Sequence, residues 1–435
     1  LAYIGGRGDT PLLSIVIPTR ERAVYLSKCL DAAIACKDPR IEIVVSDNAN
    51  KDNTASVVAG KRDARIRYVN TGRRVPVSDN LEFAFANAAG QYLLYCGDDD
   101  AILPGGMQAL LNLLESERPD MVNWPQATFF WPDKDPEDGY LQLKRTNISG
   151  GVHEQDPRKM FAELCANGSH GPYFYWGCVT REIVNRVIDK AGRYFYHMDI
   201  GSSCYCNLAE ARRFLHMGRP AFAFGQSPAS TIKAMINFDL TPPDAGAGAD
   251  AYSQFMCENT EQRLHPGIDV NNRCVWALAF DALLLTRRLL GYDEPPINAE
   301  RWKYEMEREI GRMPEPLRSS QADIVDAYLA GQGVSRLNRN GKTWRPKKKR
   351  KRLRLAIPGL RVSHKNIRLG TRPGFMQDIA AAVKVADYII GQPSLDASRG
   401  RAGDTMAWCG AVLRAANVRF GHDVGERDHF SSAGT

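Results

Sequence analysis

The chain has no C-x-x-C pair anywhere. Its ten cysteines are scattered through 435 residues, and the closest two, Cys204 and Cys206, are spaced for neither a zinc knuckle nor a redox dithiol. Reduced thiols and a cytoplasmic location are the expectation. No apolar run is long enough to span a bilayer, because the most apolar window, Val275–Leu290, is interrupted by Asp281, Arg287 and Arg288 and reads as a core helix. No G-x-G-x-x-G follows a strand, which disfavours a nicotinamide dinucleotide site. The segment after the first strand, PTRERAVYL, contains no glycine at all. That disfavours a sugar-phosphate nucleotidyltransferase, which would carry a Gly-rich loop with Arg or Lys there. No internal repeat is present.

What remains is ordinary globular composition, 44% hydrophobic and 25% charged, with room for two or three domains. The net charge of +7 is concentrated in KKKRKRLR, Lys347–Arg354, and the remainder is nearly balanced. Such a block is a solvated segment or a peripheral contact with an anionic membrane at its inner face; nucleic acid is the least favoured partner.

From Leu12 onward, short apolar runs alternate with amphipathic stretches, the pattern of a mostly parallel sheet flanked by helices. LLSIVI (Leu12–Ile17), IEIVVS (Ile41–Ser46), RIRYVN (Arg65–Asn70) and QYLLYC are four strands. Leu26, Cys29, Leu30, Ala33 and Ile34 recur at three- and four-residue spacing and predict a helix after the first strand. A helix over 79–89 is expected to end at Gly90, where a left-handed cap is inexpensive, and Pro104–Ser116 reads as another. DMVNW and ATFFW look like strands. TPPDAGAGAD then marks a linker, and helices are expected at 250–263, 272–290 and 298–311. These boundaries divide the chain into a tail (1–11), an α/β domain (12–236), a helical extension (237–335) and a basic segment with a C-terminal region of undetermined fold (336–435).

The fourth strand ends in Asp98, Asp99 and Asp100. At a separation of roughly 6 Å, two such charges repel by about 0.7 kcal/mol in water and about 3 kcal/mol in a partly closed site. One acid at a helix N-terminus is unremarkable, but three demand a cation. A hard divalent ion, Mn2+ or Mg2+, takes one or two carboxylates and fills its shell with substrate phosphates.

SIVIPTRERAVYLSKCL, EIVVSDNANKDNT and YCGDDDAILPGG, in this order, resemble the inverting glycosyltransferases of family 2, over roughly Leu12 to Met235. The resemblance implies a GT-A fold, Rossmann-like, and transfer of a sugar from a nucleotide diphosphate-sugar donor to a hydroxyl on a glycan, polysaccharide or lipid-linked acceptor. Residue by residue it implies that Pro18, Thr19, Arg20 and Glu21 meet the nucleotide, that Asp47 accepts from the base, and that Asn80 lies near the ribose and phosphates. Arg74 is a further candidate for the diphosphate. The family usually reads D-x-D-D before the loop to proline, and Gly97 stands where its first Asp is common. By that register Asp99 is the metal ligand; by a literal D-x-D the pair is Asp98 and Asp100. The working assignment gives the metal Asp99 and Asp100 and leaves Asp98 to the donor.

Inverting transfer also needs a base on the acceptor. Asp199, in FYHMDIGSSCYCNLAE, follows the strand-like GCVTRE in the kind of segment where the family carries it. Glu182, Glu210 and Asp239 are the next carboxylates to consider. GQSPAST (Gly225–Thr231) reads either as an ordinary Ser-Pro turn or as a segment closing over the substrates. His170 and His197 are more simply structural, and Tyr173, Phe174, Tyr175 and Trp176 read as core aromatics before they read as a sugar platform. A non-catalytic nucleotide-sugar binding protein is the alternative from another class. The C-terminal region beyond the linker is expected to be dispensable for donor binding but not for acceptor delivery.

Overall fold

A computed structural model of the chain describes residues 10–132, 139–144, 151–168, 175, 177–196, 202–230, 267–269 and 272–338, together with the backbone of three short strands between 355 and 370. Strand β1 (Leu13–Thr19) is buried at every position. A parallel strand covered on both faces has to be apolar nearly throughout, and LSIVIPT meets that requirement except at Ser14. The Ser14 hydroxyl is satisfied internally, donating to Glu42 and accepting from the Gly90 amide at 2.7 Å. Alternation sorts the side chains. Leu13, Ile15 and Ile17 join one core with Leu26, Cys29 and Leu30 of α1 (Ala23–Ala35) and Met107, Leu110 and Leu111 of α4 (Pro104–Glu117). Val16 faces the other core, with Leu81 and Phe85 of α3 (Val77–Asn87).

β2 (Ile41–Asp47), β3 (Ile66–Asn70) and β4 (Tyr92–Tyr95) run parallel with β1 in an eight-stranded sheet of order β3-β2-β1-β4-β10-β6-β11-β9. α2 (Thr54–Gly60) links β2 to β3. β10 (Gly177–Thr180) runs antiparallel to β4 and to β6 (Met121–Asn123). β11 (Phe214–Met217) and β9 (Val152–Gln155) close that side. A second sheet holds β5 (Ala101–Ile102), β12 (Phe222–Gln226), β7 (Ala127–Phe130) and β8 (Tyr140–Lys144), in the order β13-β14-β15-β8-β7-β12-β5. Its far edge is built by β13 (Leu355–Ile357), β14 (Leu360–Val362) and β15 (Asn366–Gly370), so part of the C-terminal region is strand. This is the expected mixed α/β architecture with flanking helices and a helical C-terminal extension.

One expectation needs correction. Helix α3 stops at Asn87, and Gly90 is not in a left-handed conformation. A Cβ at Gly90 would lie 2.5 Å from the Ser14 hydroxyl and 2.6 Å from its amide nitrogen, so close approach to β1 selects glycine. The helices of the extension pack into the α/β domain. α8 (Val275–Leu290) packs on α6 (Arg181–Ala191) and α7 (Ser202–Glu210), and the side chains of α8, α9 (Ala299–Ile310) and α10 (Leu317–Gly331) enter the same core as Val16 and Phe85. The helix expected at 250–263 lies outside the described residues. α10 was not foreseen.

Trp302 of α9 is fully buried against Phe280, its indole donating to the Cys165 carbonyl of α5 (Pro157–Asn167) at 3.4 Å. Trp302→Ala is expected to cost about 3–5 kcal/mol through the cavity it leaves, measured as the fall in urea unfolding free energy. A loss under about 1 kcal/mol would mean that the extension does not share the core.

Candidate active site

In strand order 3-2-1-4 the chain leaves β1 in opposite lateral directions, and ligands of open α/β sheets gather outside the carboxyl ends of the strands at such a switch point. The register puts Thr19 of β1 directly beside Asp47 of β2, and the Cys96 amide just past β4 still donates to the Val16 carbonyl at 2.9 Å. Thr19, Asp47 and the acidic triplet therefore share one end of the sheet. Glu21, at φ 51°, takes the left-handed turn between β1 and α1.

The cation that the triplet demands is present in the chain. Arg22 donates from Nη1 to Asp98 Oδ1 at 3.0 Å, lies 3.8 Å from Asp99 Oδ2, and donates from Nη2 to the Ala229 carbonyl. Thr19 Oγ1 donates to the other Asp98 oxygen at 2.9 Å. Asp99 Oδ2 accepts from the Ser227 amide at 3.2 Å and hydroxyl at 2.6 Å, while the Asp99 carbonyl accepts from Trp131 Nε1 at 2.9 Å. Among the described residues, Asp100 is held by neutral donors: the Gly97 amide and Tyr175 hydroxyl on Oδ2, and the Gly225 amide on Oδ1, each at 2.7 Å.

Burial sets the electrostatics. It pushes the Asp98 carboxyl up, opposed chiefly by the Arg22 charge, and it pushes Asp100 well above the usual range, reinforced by Asp99 and opposed by its three donors. Burial also works against the Arg22 charge, but Asp98 and Asp99 outweigh it and hold the guanidinium above its ordinary value.

Two glycines are fixed by this packing. A Cβ at Gly97 would lie 2.3 Å from the Tyr175 hydroxyl, and one at Gly225 would lie 1.7 Å from the Asp99 carbonyl oxygen. The first accounts for the departure from D-x-D-D at Gly97.

The other expected site residues are distributed around this centre. Asp47 accepts from the Tyr68 hydroxyl at 2.6 Å and the Asn50 amide at 2.7 Å. Glu21 accepts from the Lys51 and Asp52 amides and pairs with Arg74 at 2.5 Å, bridging the loops that follow β1 and β3. Pro18 is buried on β1 opposite Ser46, and Arg20 is half-buried at the strand's end. Asn80 is buried and accepts from the Ser46 hydroxyl at 2.6 Å, so its side chain is knitted to the back of β2. Tyr175 packs edge-on against Tyr95, Phe222 and Phe224 as a core residue. Glu210 is committed to Lys190 at 2.5 Å and Tyr292 at 2.9 Å, and Glu182 pairs with Arg186. Asp199, His170, His197, Tyr173, Phe174, Trp176, Asp239 and Lys347–Arg354 lie outside the described residues.

The residues that sequence reasoning missed are Arg22, Ser227 and Trp131. A signal existed for Arg22, three residues after Thr19 in the same motif, but nothing local tells which of Arg20 and Arg22 turns toward the triplet. Among the described residues no three His, Cys, Asp or Glu side chains converge as a metal cage. The donor set still fits a hard cation: carboxylate oxygens of Asp98 and Asp99 around a point where the chain already holds a positive group.

Residues 14–159 match the family model described as Glycosyl transferase family 2. Over that segment the chain resembles the family 2 glycosyltransferases. Among curated proteins, it is 33% identical over 104 residues to a Campylobacter jejuni protein named GalNAc(5)-diNAcBac-PP-undecaprenol beta-1,3-glucosyltransferase, covering 23% of this chain and 34% of that one. It is 32% identical over 106 residues to an uncharacterized glycosyltransferase of Rickettsia felis, covering 24% of this chain and 17% of that one. The chain thus spans a minor part of the length of these relatives. Among solved structures, S. aureus TarS 1-349 in complex with UDP-GlcNAc overlaps with a TM-score of 0.40 at 14% identity, covering 74% of this chain and 92% of that one.

The three donors on Asp100 allow a clean test of its role. Asp100→Asn replaces an acceptor with an amide that faces at least one N–H or O–H donor, and a loss of about 1–3 kcal/mol in unfolding free energy is expected. Unchanged stability in a urea titration would mean that Asp100 does not hold the turn.

Proposed function

We propose that the chain is an inverting glycosyltransferase, moving a sugar from a nucleotide diphosphate-sugar donor to a hydroxyl acceptor in a single in-line displacement. The observation that carries this reading is the junction of Thr19, Asp47 and Asp98–Asp100 at the switch point of the sheet, inside the segment that matches family 2. In this reading Asp47 and its partner Tyr68 receive the base, and Thr19 with the Glu21–Arg74 bridge borders the diphosphate. Asp99 offers a carboxylate to a divalent cation, Mn2+ or Mg2+. Asp100, whose two oxygens already take three donors, supports the turn. The cation, when bound, relieves charge on the departing diphosphate. The acceptor oxygen forms its bond to the anomeric carbon as the bond to the diphosphate oxygen breaks, and the hydroxyl proton passes to a carboxylate, for which Asp199 is the candidate. The lipid-linked substrate in the name of the Campylobacter relative supports a lipid-linked or glycan acceptor. Peripheral contact of Lys347–Arg354 with an anionic membrane would bring the chain to it. No described helix is long and apolar enough to cross a membrane.

The test is release of nucleotide diphosphate from a panel of uridine, guanosine and thymidine diphosphate sugars with Mn2+. Turnover of one donor is expected, and binding without turnover of any would favour a non-catalytic nucleotide-sugar binding protein. Asp199→Asn should lower transfer by about 10²–10⁴ with donor affinity unchanged, because it keeps the shape and loses the proton acceptor. If Asp199 were only a helix cap, asparagine would cap as well and the variant would be nearly silent; a loss below about tenfold rejects it as the base.

A further inference from the structure

The acidic tip of β4 draws its counter-charge from a residue of the chain. Arg22 sits between Asp98 and Asp99 with its side chain 19% exposed, while theirs are 4% and 6% exposed. Its two terminal nitrogens do different work: Nη1 faces the carboxylates, and Nη2 is anchored on the Ala229 carbonyl in the turn after β12. The same turn supplies Ser227, which holds Asp99 by amide and hydroxyl. A guanidinium and a dication that share carboxylate oxygens in a poorly solvated site repel each other strongly, so both cannot occupy this point.

We propose that Arg22 is a positioning residue that stands in the place of the divalent cation: it is the counter-charge beside Asp98 and Asp99 in the free protein, and the cation reaches them by displacing its guanidinium. The proposal rests on the reading above that a divalent cation meets the acidic tip. Two consequences distinguish it from a structural ion pair. Removing Arg22 leaves buried carboxylates without a counter-charge, which destabilises the metal-free protein. The same change frees their oxygens, which strengthens cation binding. A purely structural arginine would produce the first effect and weaken cation binding, because its loss would disorder the ligands.

The experiment uses the full chain with Mn2+ alone, in the wild type, Arg22→Gln and Arg22→Lys. Free Mn2+ is counted by electron paramagnetic resonance, and thermal unfolding is recorded with and without the ion. Arg22→Gln is expected to melt below the wild type without metal, to bind Mn2+ at least about tenfold tighter, and to gain more in melting temperature on adding it. Arg22→Lys keeps the charge but cannot hold Asp98 and the Ala229 carbonyl with one planar fork, and should fall between the two; it carries the comparison if the glutamine variant does not fold. Equal or weaker Mn2+ binding in the variants overturns the proposal. If no protein binds Mn2+ and a sugar nucleotide is still turned over, the proposal fails and the proposed function stands. If the variants bind Mn2+ more tightly and no sugar nucleotide is turned over, the proposal stands and the proposed function fails.

Discussion

Three consecutive carboxylates at the end of a buried strand persist only where the fold answers each of them, and here it answers each in a different way. Asp98 is met by the charge of Arg22 and the hydroxyl of Thr19, Asp99 by Ser227, and Asp100 by three neutral donors. These partners come from the ends of β1 and β12 and the residues that follow them, from the turn after β4 and from Tyr175. Leaving any of these acids unanswered would leave a buried charge or acceptor without compensation, which is among the costlier defects a fold can carry. The positions of Gly97, Gly225 and Tyr175 follow from that requirement.

The same constraint ties the two sheets together. β5 begins immediately after Asp100 and pairs with β12, whose Gly225 amide returns to Asp100. The turn that completes the acidic site is thus continuous with the second sheet, while Thr19 and Asp47 belong to the first. Helices α8 to α10 reach the site only indirectly, by sharing the core beneath α6 and α7.

Much of this is legible in the sequence, for physical reasons that also mark where legibility ends. β1 and β2 are read directly because strands covered on both faces are apolar nearly throughout, and α1 because its buried positions repeat at helical spacing. Gly90 is misread because a glycine chosen for close approach looks the same in one dimension as a glycine chosen for a left-handed cap. α10 escapes because LRSSQADIVDAYLAG buries Gln321, Ala322, Val325, Asp326, Tyr328 and Leu329, a face that mixes polar and apolar residues and so carries a weak hydrophobic signal. The need for a positive charge at Asp98–Asp100 is legible from repulsion alone. That Arg22 meets it is not, since the pair is 76 residues apart and Arg20 has the same chemistry. The GQSPAST turn is visible as a turn, but its amide and hydroxyl at Ser227 act on an aspartate 128 residues away.

The account stands or falls on whether a nucleotide diphosphate binds at the carboxyl ends of β1, β2 and β4 through Asp99. The direct measurement is thermal stabilisation of the wild type and Asp99→Asn by a panel of nucleoside diphosphates with Mn2+. The predicted result is a melting-temperature rise for at least one nucleotide in the wild type that disappears in Asp99→Asn, with the two proteins equally folded by circular dichroism. An undiminished rise in the variant would put the nucleotide elsewhere and contradict the account.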